Sequence, residues 1–221
     1  QLRPSLRPQL AGALVSRDEW LPPLLNAVDQ GYVAATEISP ANRDRLCQHA
    51  DPAIRERVET VLAAVLPPPR REVLGQFDDA VRLKGTASRG SALFLQRCTG
   101  CHLLAGRGHA VGPDLAIAAR RAPFELVQSI LDPNATIEPR YLGYQVETAD
   151  GEAHHGVLVG ESESHLRLVQ GSGLPQCVPF SSIIQIRVSN YSPMPEGLEV
   201  GWTPQDLADL IAYLHEAAHG R

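Results

Sequence analysis

The segment that most constrains this chain is Cys98–His102, whose letters C-T-G-C-H form its only C-x-x-C-H motif. Two thiols at this spacing can add across the two vinyl groups of one porphyrin, and the next imidazole then lies under the iron as its proximal ligand. A thioredoxin-like redox pair would need a strand–helix–strand setting, whereas the residues before Cys98 predict a helix. Half a zinc site would need a second ligand pair, to which neither Cys47 nor Cys177 belongs. The motif therefore favours covalently attached haem c over these two alternatives.

A Gly-Pro segment follows the motif, and it is a candidate to orient the imidazole of His102. An imidazole that ligates haem iron generally donates its second N–H group to a carbonyl, which fixes the ring and tunes the metal. Gly112, Pro113 and Leu115 form a G-P-x-L segment that begins ten positions after His102. This spacing resembles class I cytochromes c, and the resemblance implies that the carbonyl of Pro113 accepts that hydrogen bond. An ordinary Gly-Pro turn is the alternative.

Met194 is the single methionine of the chain and the candidate for the second axial ligand. A lone methionine is a poor core filler, and the flanking Pro193 and Pro195 stiffen the backbone that presents it. A helix follows, with Thr203 as its cap and apolar residues at helical spacing. A methionine loop before an amphipathic terminal helix resembles the C-terminal half of class I cytochromes c. A surface methionine is the alternative, and His109 is then the best substitute ligand.

Two further helices complete the resemblance to a three-helix cytochrome c. Gly90 and Phe94 lie on the short helix that leads into Cys98, where the family packs a small residue and an aromatic against the terminal helix. The resemblance implies that Tyr213 is the aromatic counterpart on that terminal helix. A separate helix is predicted over residues 123–131, with a proline at its first position.

The stretch between His102 and Met194 is longer than a small cytochrome c needs, because the two residues are 92 positions apart. The excess, residues 141–190, has strand character, and Asp150-Gly151 is a hairpin signal within it. Strands are predicted at residues 144–148, 156–159, 165–169 and 184–188. We therefore expect four or five short antiparallel strands that form a small curled sheet or barrel inserted before Met194.

The complete pattern resembles a narrower group, the haem-binding domain described in Pirellula- and Verrucomicrobium-type proteins. Its motifs correspond here to C-T-G-C-H at 98–102, V-G-P-D-L at 111–115, S-I-L-D-P at 129–133 and M-P-E-G-L at 194–198. The resemblance covers residues 86–218. It implies an extracytoplasmic electron carrier, often fused behind a dehydrogenase-like propeller or a helical repeat region.

The same resemblance implies roles for individual residues around the haem. Cys98 and Cys101 carry the covalent bonds, and His102 and Met194 are the axial ligands of the iron. The other residues implied to contact the haem are Gly112, Pro113, Leu115, Arg121 and Ile130. The fork of the Arg121 guanidinium suits a haem propionate, with an ordinary surface arginine as the alternative.

Residues 1–69 predict a helical segment ahead of the cytochrome. Ser39-Pro40 and Asp51-Pro52 each combine a cap with a proline at the first helical position. The second of these helices resembles the start of a HEAT-like repeat, although fewer than three repeats are present. We expect the tail of a longer repeat array or a helical cap on the cytochrome, with an unrelated helical subdomain as the alternative. A connecting helix and linker follow at 70–85, and the cytochrome domain spans 86–221.

The predicted fold class is α+β. It combines a mainly α-helical cytochrome c fold, an inserted small antiparallel β-module at 141–190 and the preceding HEAT-like α-helical segment. Because the chain begins at Gln1 without an initiator methionine or a signal peptide, we expect a mature product or a fragment of a longer protein. We expect Cys47 and Cys177 to be two buried thiols, with a disulfide as the alternative.

Composition and charge argue against two other classes of protein. The formal net charge is −5 and the pI is about 5.9, whereas a protein that binds nucleic acid would show a basic stripe. No apolar run approaches the ~20 residues that a membrane-spanning helix needs. We therefore expect neither a nucleic-acid partner nor a membrane-spanning segment.

The predicted function follows from the iron ligands. With His102 and Met194 both on the iron no coordination site is open, so we expect an electron-transfer protein and not an enzyme. We expect a monohaem c-type cytochrome in the periplasm or another extracytoplasmic space. It would carry single electrons from a dehydrogenase partner or fused domain to a downstream acceptor. The alternatives are a haem protein with a labile sixth site that binds ligands or reduces peroxide, and a binding module built on the β-insert.

Overall fold

The computed structural model describes residues 3–219, which divide into two compact units. The sheet unit comprises residues 3–68, 136–168 and 175–193. The motif unit comprises residues 69–135, 169–174 and 194–219. Within the described range the chain forms nine α-helices and five β-strands, which confirms the α+β class. No helix in that range is long and apolar enough to cross a membrane.

Four helices open the sheet unit. They are α1 (Arg7–Leu14), α2 (Leu21–Asp29), α3 (Pro40–Cys47) and α4 (Pro52–Val65). The Ser39 side chain accepts a hydrogen bond from the first turn of α3, and the Asp51 side chain does the same for α4, so both predicted helix starts are confirmed. The sequence patterns single out neither α1 nor α2. The resemblance of the segment to a HEAT repeat stays a prediction.

The four helices share one apolar core. One face of α2 carries four buried residues at helical spacing, and α4 contributes two more to the same cluster. These buried residues are Leu21, Leu24, Leu25, Val28, Val58 and Val61. The helical segment therefore has a hydrophobic cluster of its own.

The five strands form one sheet with the order β4-β3-β2-β1-β5. The strands are β1 (Gly143–Thr148), β2 (Ala153–Glu161), β3 (His165–Val169), β4 (Gln176–Pro179) and β5 (Ile183–Val188). β1 and β2 pair antiparallel around Asp150-Gly151, where Gly151 has a φ of +87°, so the predicted hairpin is confirmed. The short edge strand β4 lies outside the four strand ranges predicted from the sequence.

Hydrogen bonds join the helical segment to the end of β5 within the sheet unit. The Thr36 hydroxyl donates to the carbonyl of Ser189 at 2.7 Å, and the backbone N–H of Ala35 donates to Oδ1 of Asn190 at 2.9 Å. The sheet residues therefore group with the N-terminal helices, whereas the sequence assigns them to an insertion within residues 86–221. The sequence-based boundaries at residues 69 and 86 stay predictions.

Cys47 and Cys177 are both unpaired and exposed. The expectation of two buried thiols is therefore wrong. Cys177 lies in the edge strand β4 next to the buried Val178, and successive side chains of a strand point to opposite faces. Its thiol consequently lies on the outer face of the sheet.

The motif unit is helical. Its helices are α5 (Arg71–Gln76), α6 (Ala87–Arg97), α7 (Leu115–Ala118), α8 (Pro123–Leu131) and α9 (Pro204–His219). The predicted bounds of α8 are confirmed. The connecting helix expected at 70–85 is instead divided into α5 and a 3-10 helix at Asp78–Val81. Phe77 separates the two, because its backbone is not helical (φ −112°) and its ring is buried in the core.

Helices α6 and α9 cross in close backbone contact, as the resemblance implies. A Cβ atom at Gly90 would lie 1.9 Å from the carbonyl oxygen of Asp209, so only glycine permits this approach. One turn further along α6, Phe94 packs against Tyr213 with ring centroids 5.5 Å apart. The crossing fixes α6, whose C-terminus leads into Cys98.

A buried carboxylate reinforces this crossing. The Asp209 side chain is only 1% exposed and accepts hydrogen bonds from Nε of Arg89 at 2.5 Å and from the backbone N–H of Thr86 at 2.7 Å. The hydrogen bond from Arg89 lowers the pKa of Asp209 by more than burial raises it. Asp209 is therefore ionised at neutral pH and stabilises the contact between α6 and α9.

We predict that Gly90→Ala lowers the free energy of unfolding by about 3 kcal/mol, because the added methyl group would overlap the backbone of α9. The control is Gly75→Ala in α5, where a Cβ atom would meet nothing within 4 Å and alanine favours the helix. Denaturant unfolding measures both variants. Equal losses of stability would contradict the packing argument.

We also predict that the stabilisation by Asp209 disappears in acid. Its pKa is depressed in the folded state, so the stabilisation is complete above the unfolded value of about 3.9 and is lost as the pH falls through the folded value. The difference in unfolding free energy between wild type and Asp209→Asn should therefore shrink from neutral to strongly acidic pH. A constant difference would show that the Asp209 charge contributes nothing.

Candidate functional site

Cys98, Cys101 and His102 lie on a tight turn at the end of α6. The backbone N–H of Cys98 donates to the carbonyl of Phe94 at 2.9 Å. The N–H groups of Cys101 and His102 both donate to the carbonyl of Cys98, at 3.1 and 2.9 Å. The chain turns around Cys98, which brings both thiols and the imidazole to one place.

Both motif thiols are free and half-buried. Burial, with a smaller effect of the nearby Cys101, raises the pKa of Cys98 to about 11. Burial also raises the pKa of Cys101. Both are therefore uncharged thiols at neutral pH, and addition of an S–H group across a vinyl double bond leaves a thioether. Among residues 3–219, no three or more His, Cys, Asp or Glu side chains are grouped so as to hold a metal ion.

His102 is oriented by the carbonyl that the resemblance assigns to this role. Its Nδ1 atom lies 3.0 Å from the carbonyl oxygen of Pro113. A carbonyl oxygen can only accept, so Nδ1 carries the proton and Nε2 carries the lone pair. Burial lowers the pKa of His102 by more than this hydrogen bond raises it, so the ring is neutral at neutral pH. A neutral imidazole with Nε2 available is the form that ligates iron.

The loop after His102 folds back onto the motif. The backbone N–H of Gly112 donates to the carbonyl of Cys101 at 2.8 Å, and that of His109 donates to the carbonyl of Thr99 at 3.0 Å. A Cβ atom at Gly112 would lie only 2.5 Å from Cε1 of His102. The backbone at Gly112 therefore lies directly against the imidazole, which only glycine allows.

Gly108 is a second glycine that this loop requires, and none of the motifs in the sequence singles it out. Its φ is +92°, and a Cβ atom there would lie 2.1 Å from the carbonyl oxygen of His102. Two glycines, Gly106 and Gly108, stand close together after the motif, which is a visible signal of a sharp turn. The pattern does not show which backbone atom the turn approaches.

The remaining residues predicted to contact haem all belong to the motif unit. Leu115 in α7 and Ile130 in α8 are partly buried against its apolar core. Arg121 is exposed in the turn before α8, and Met194 is half-buried at the start of the segment 194–219. Contact of these four residues with haem stays a prediction.

An ion-pair network follows Met194 in the chain, and no sequence motif indicates it. Nη2 of Arg70 lies 2.7 Å from Oε1 of Glu199, and its Nε lies 3.6 Å from Oε2 of Glu196. Burial opposes ionisation of Glu199, but hydrogen bonds, chiefly from Arg70, hold its pKa below the usual value. Arg70 and Glu199 are 129 positions apart, so their pairing depends on the tertiary fold.

The residues at the motif fit a covalently bound haem c. Two uncharged, unpaired thiols stand beside a neutral imidazole whose Nδ1 is engaged and whose Nε2 is available. The close approach of Gly112 holds the ring in place from one side. These features match the donor chemistry that haem c requires of a protein.

A comparison with protein families agrees with this geometry. The family model for Cytochrome c matches residues 87–152. The matched region begins with the first residue of α6, contains Cys98–His102 and Gly112, and ends before Met194. A search of curated proteins finds none that matches the chain. The family match supports a c-type cytochrome domain that binds one haem c covalently and transfers electrons.

We predict that Gly112→Ala lowers the free energy of unfolding of the haem-loaded protein by about 1–3 kcal/mol, because the methyl group would overlap the His102 ring. It should also change the ferric electron paramagnetic resonance spectrum, which depends on the orientation of the axial imidazole. Gly100→Ala is the control, since a Cβ atom there meets nothing within 4 Å. An unchanged spectrum in Gly112→Ala would contradict the close packing of Gly112 on His102.

Proposed function

We propose that this protein is a monohaem electron carrier in which His102 and Met194 are the two axial ligands. The observation that carries the proposal is the hydrogen bond from Nδ1 of His102 to the carbonyl of Pro113. It fixes the tautomer, so that Nε2 of a neutral ring is available as a ligand beside two free thiols. Bound haem c supplies a one-electron couple between ferric and ferrous iron.

The residues around the motif act by holding the proximal side rigid. Cys98 and Cys101 tether the porphyrin at two points, so the haem stays attached in both oxidation states. Pro113 and Gly112 restrict rotation of His102. Electron transfer is fast when ligands and their geometry change little between the two states, and this arrangement limits such change.

In this proposal the sulfur of Met194 occupies the sixth coordination position of the haem iron. Met194 is the only methionine, it stands between two prolines, and it lies in the same compact unit as His102. A thioether ligand favours ferrous iron and raises the reduction potential, which suits an electron acceptor. With both axial positions filled there is no place for a substrate on the metal, so the proposed activity is electron transfer without catalysis.

Three further residues complete the proposed haem environment. Leu115 and Ile130 supply apolar contacts from α7 and α8, since both are partly buried against the core of the motif unit. Arg121 binds a haem propionate through its guanidinium. Burial of the porphyrin among apolar side chains further tunes the reduction potential.

The resemblance to the haem-binding domain of Pirellula- and Verrucomicrobium-type proteins supports an extracytoplasmic location. In that setting a dehydrogenase partner or fused domain donates electrons, and a downstream redox protein accepts them. The N-terminal helices α1–α4 then form a HEAT-like segment, since the resemblance implies that such a cytochrome is often fused behind a dehydrogenase-like propeller or a helical repeat region. The cysteines of the motif fit this location, because haem c is the cofactor of extracytoplasmic cytochromes.

We predict that Met194→Ala lowers the reduction potential by on the order of 100 mV, because the thioether that favours ferrous iron is removed. The ferrous variant should bind carbon monoxide, whereas the wild type should bind little. Wild-type ferric protein should show the weak thioether-to-iron charge-transfer band, and Met194→Ala should lack it. Redox titration and optical spectra measure all three properties.

His109→Ala is the matched control, because His109 is the alternative sixth ligand. It should retain the charge-transfer band and the wild-type potential. A wild-type protein that is high-spin, or that binds carbon monoxide as well as Met194→Ala does, would contradict the proposed ligand. That result would favour the alternative function, in which the haem binds external ligands or reduces peroxide.

A further inference from the structure

Arg70 connects the start of the motif unit to the segment that follows Met194. Its guanidinium contacts Glu199 twice, from Nη2 to Oε1 at 2.7 Å and from Nη1 to Oε2 at 3.3 Å. Its Nε lies 3.6 Å from Oε2 of Glu196, and Nη1 also donates to the carbonyl of Leu131 at the end of α8. One planar side chain therefore contacts both carboxylates of residues 194–200.

Arg70 is itself restrained at its backbone. Its N–H donates to Oδ2 of the buried Asp132 at 3.2 Å. The residues before it, Pro67, Pro68 and Pro69, have their φ angles fixed by the proline ring. The backbone of Arg70 is therefore held to Asp132, and its side chain extends from this fixed point to Glu199.

The Arg70–Glu199 pair is largely removed from water. The exposed fractions of the two side chains are 15% and 8%. A pair at this depth differs from a surface ion pair, because loss of one partner leaves the other charge in a poorly solvated place. Separation of Glu199 from Arg70 is therefore costly as long as both charges are present.

The segment that carries these carboxylates has no helix or strand. Residues 194–202 form turns and bends, and Gly197 and Gly201 both have a φ of +84°. Glu196 and Glu199 follow Met194 by two and five positions. Asn134 also donates to Oε1 of Glu196. Restraint of these carboxylates therefore limits how far the backbone can move at Met194, two and five positions away.

We propose that Arg70 is a positioning residue that keeps Met194 in place as an axial ligand through its ion pairs with Glu199 and Glu196. This inference rests on the proposed function, in which Met194 ligates the iron. Without Arg70, residues 194–200 detach more often, and an external ligand reaches the sixth position more easily. Arg70 thus determines how readily Met194 leaves the iron and an external ligand takes its place.

The test measures the binding of carbon monoxide to the ferrous, haem-loaded protein, because this ligand binds only when the sixth position is open. Arg70→Gln should raise the association constant about tenfold or more. Arg70→Lys should give a smaller rise, since lysine keeps the charge but cannot make the two-point contact. Amide hydrogen exchange at residues 194–200 should accelerate in the same order, and this readout is independent of iron chemistry.

Arg7→Gln is the matched control. It removes an arginine that makes a two-point contact with the buried Glu37 in the sheet unit, where neither partner lies in the α6–α9 crossing or in residues 194–200. It should lower thermal stability and leave carbon monoxide binding unchanged. Glu199→Gln breaks the Arg70 pair from the loop side, and it provides the same test if Arg70→Gln does not mature.

The outcomes separate this inference from the proposed function. Wild-type affinity for carbon monoxide in both Arg70→Gln and Glu199→Gln would overturn the role of Arg70 and leave the Met194 ligand intact. An equal rise in Arg7→Gln would also overturn it, because general destabilisation would then account for the effect. A wild type that binds carbon monoxide as strongly as Met194→Ala would overturn the proposed ligand, and this inference with it.

Discussion

The candidate site depends on the backbone contact between α6 and α9 at Gly90. A side chain larger than hydrogen would separate the two helices, since even a Cβ atom would lie 1.9 Å from a carbonyl oxygen of α9. The C-terminus of α6 leads directly into Cys98–His102, and α9 begins ten positions after Met194. One helix crossing therefore positions the chain on both sides of the proposed haem site.

Two buried carboxylates tie the motif unit together around this crossing. Asp209 joins α6 to α9 through Arg89 and Thr86, and Glu199 joins the segment after Met194 to Arg70. In each case an arginine compensates for the loss of water around the carboxylate, and the carboxylate pKa is lowered. The apolar core supplies most of the stability, whereas these pairs fix which segments meet and in which register.

Local patterns were sufficient to predict the chemistry of the motif, the β1–β2 hairpin and both ends of α8. In each of these, the informative residues are close in sequence and determine the backbone by their own conformational preferences. The pairing of Arg70 with Glu199 could not be predicted in this way, because it joins residues 129 positions apart. The same reason explains why the grouping of the sheet with α1–α4 was missed, because contacts such as the hydrogen bonds from Thr36 and Ala35 join residues 153 and 155 positions apart.

The proposed electron carrier requires that sulfur from Met194 and nitrogen from His102 occupy the two axial positions of one haem. X-ray absorption at the iron edge of the haem-loaded protein tests this most directly, because sulfur and nitrogen scatter differently. If Met194 is a ligand, one sulfur atom should be found among the six iron ligands in both oxidation states, and Met194→Ala should lose it. A first shell of nitrogen and oxygen alone, identical in wild type and variant, would contradict the proposed ligand.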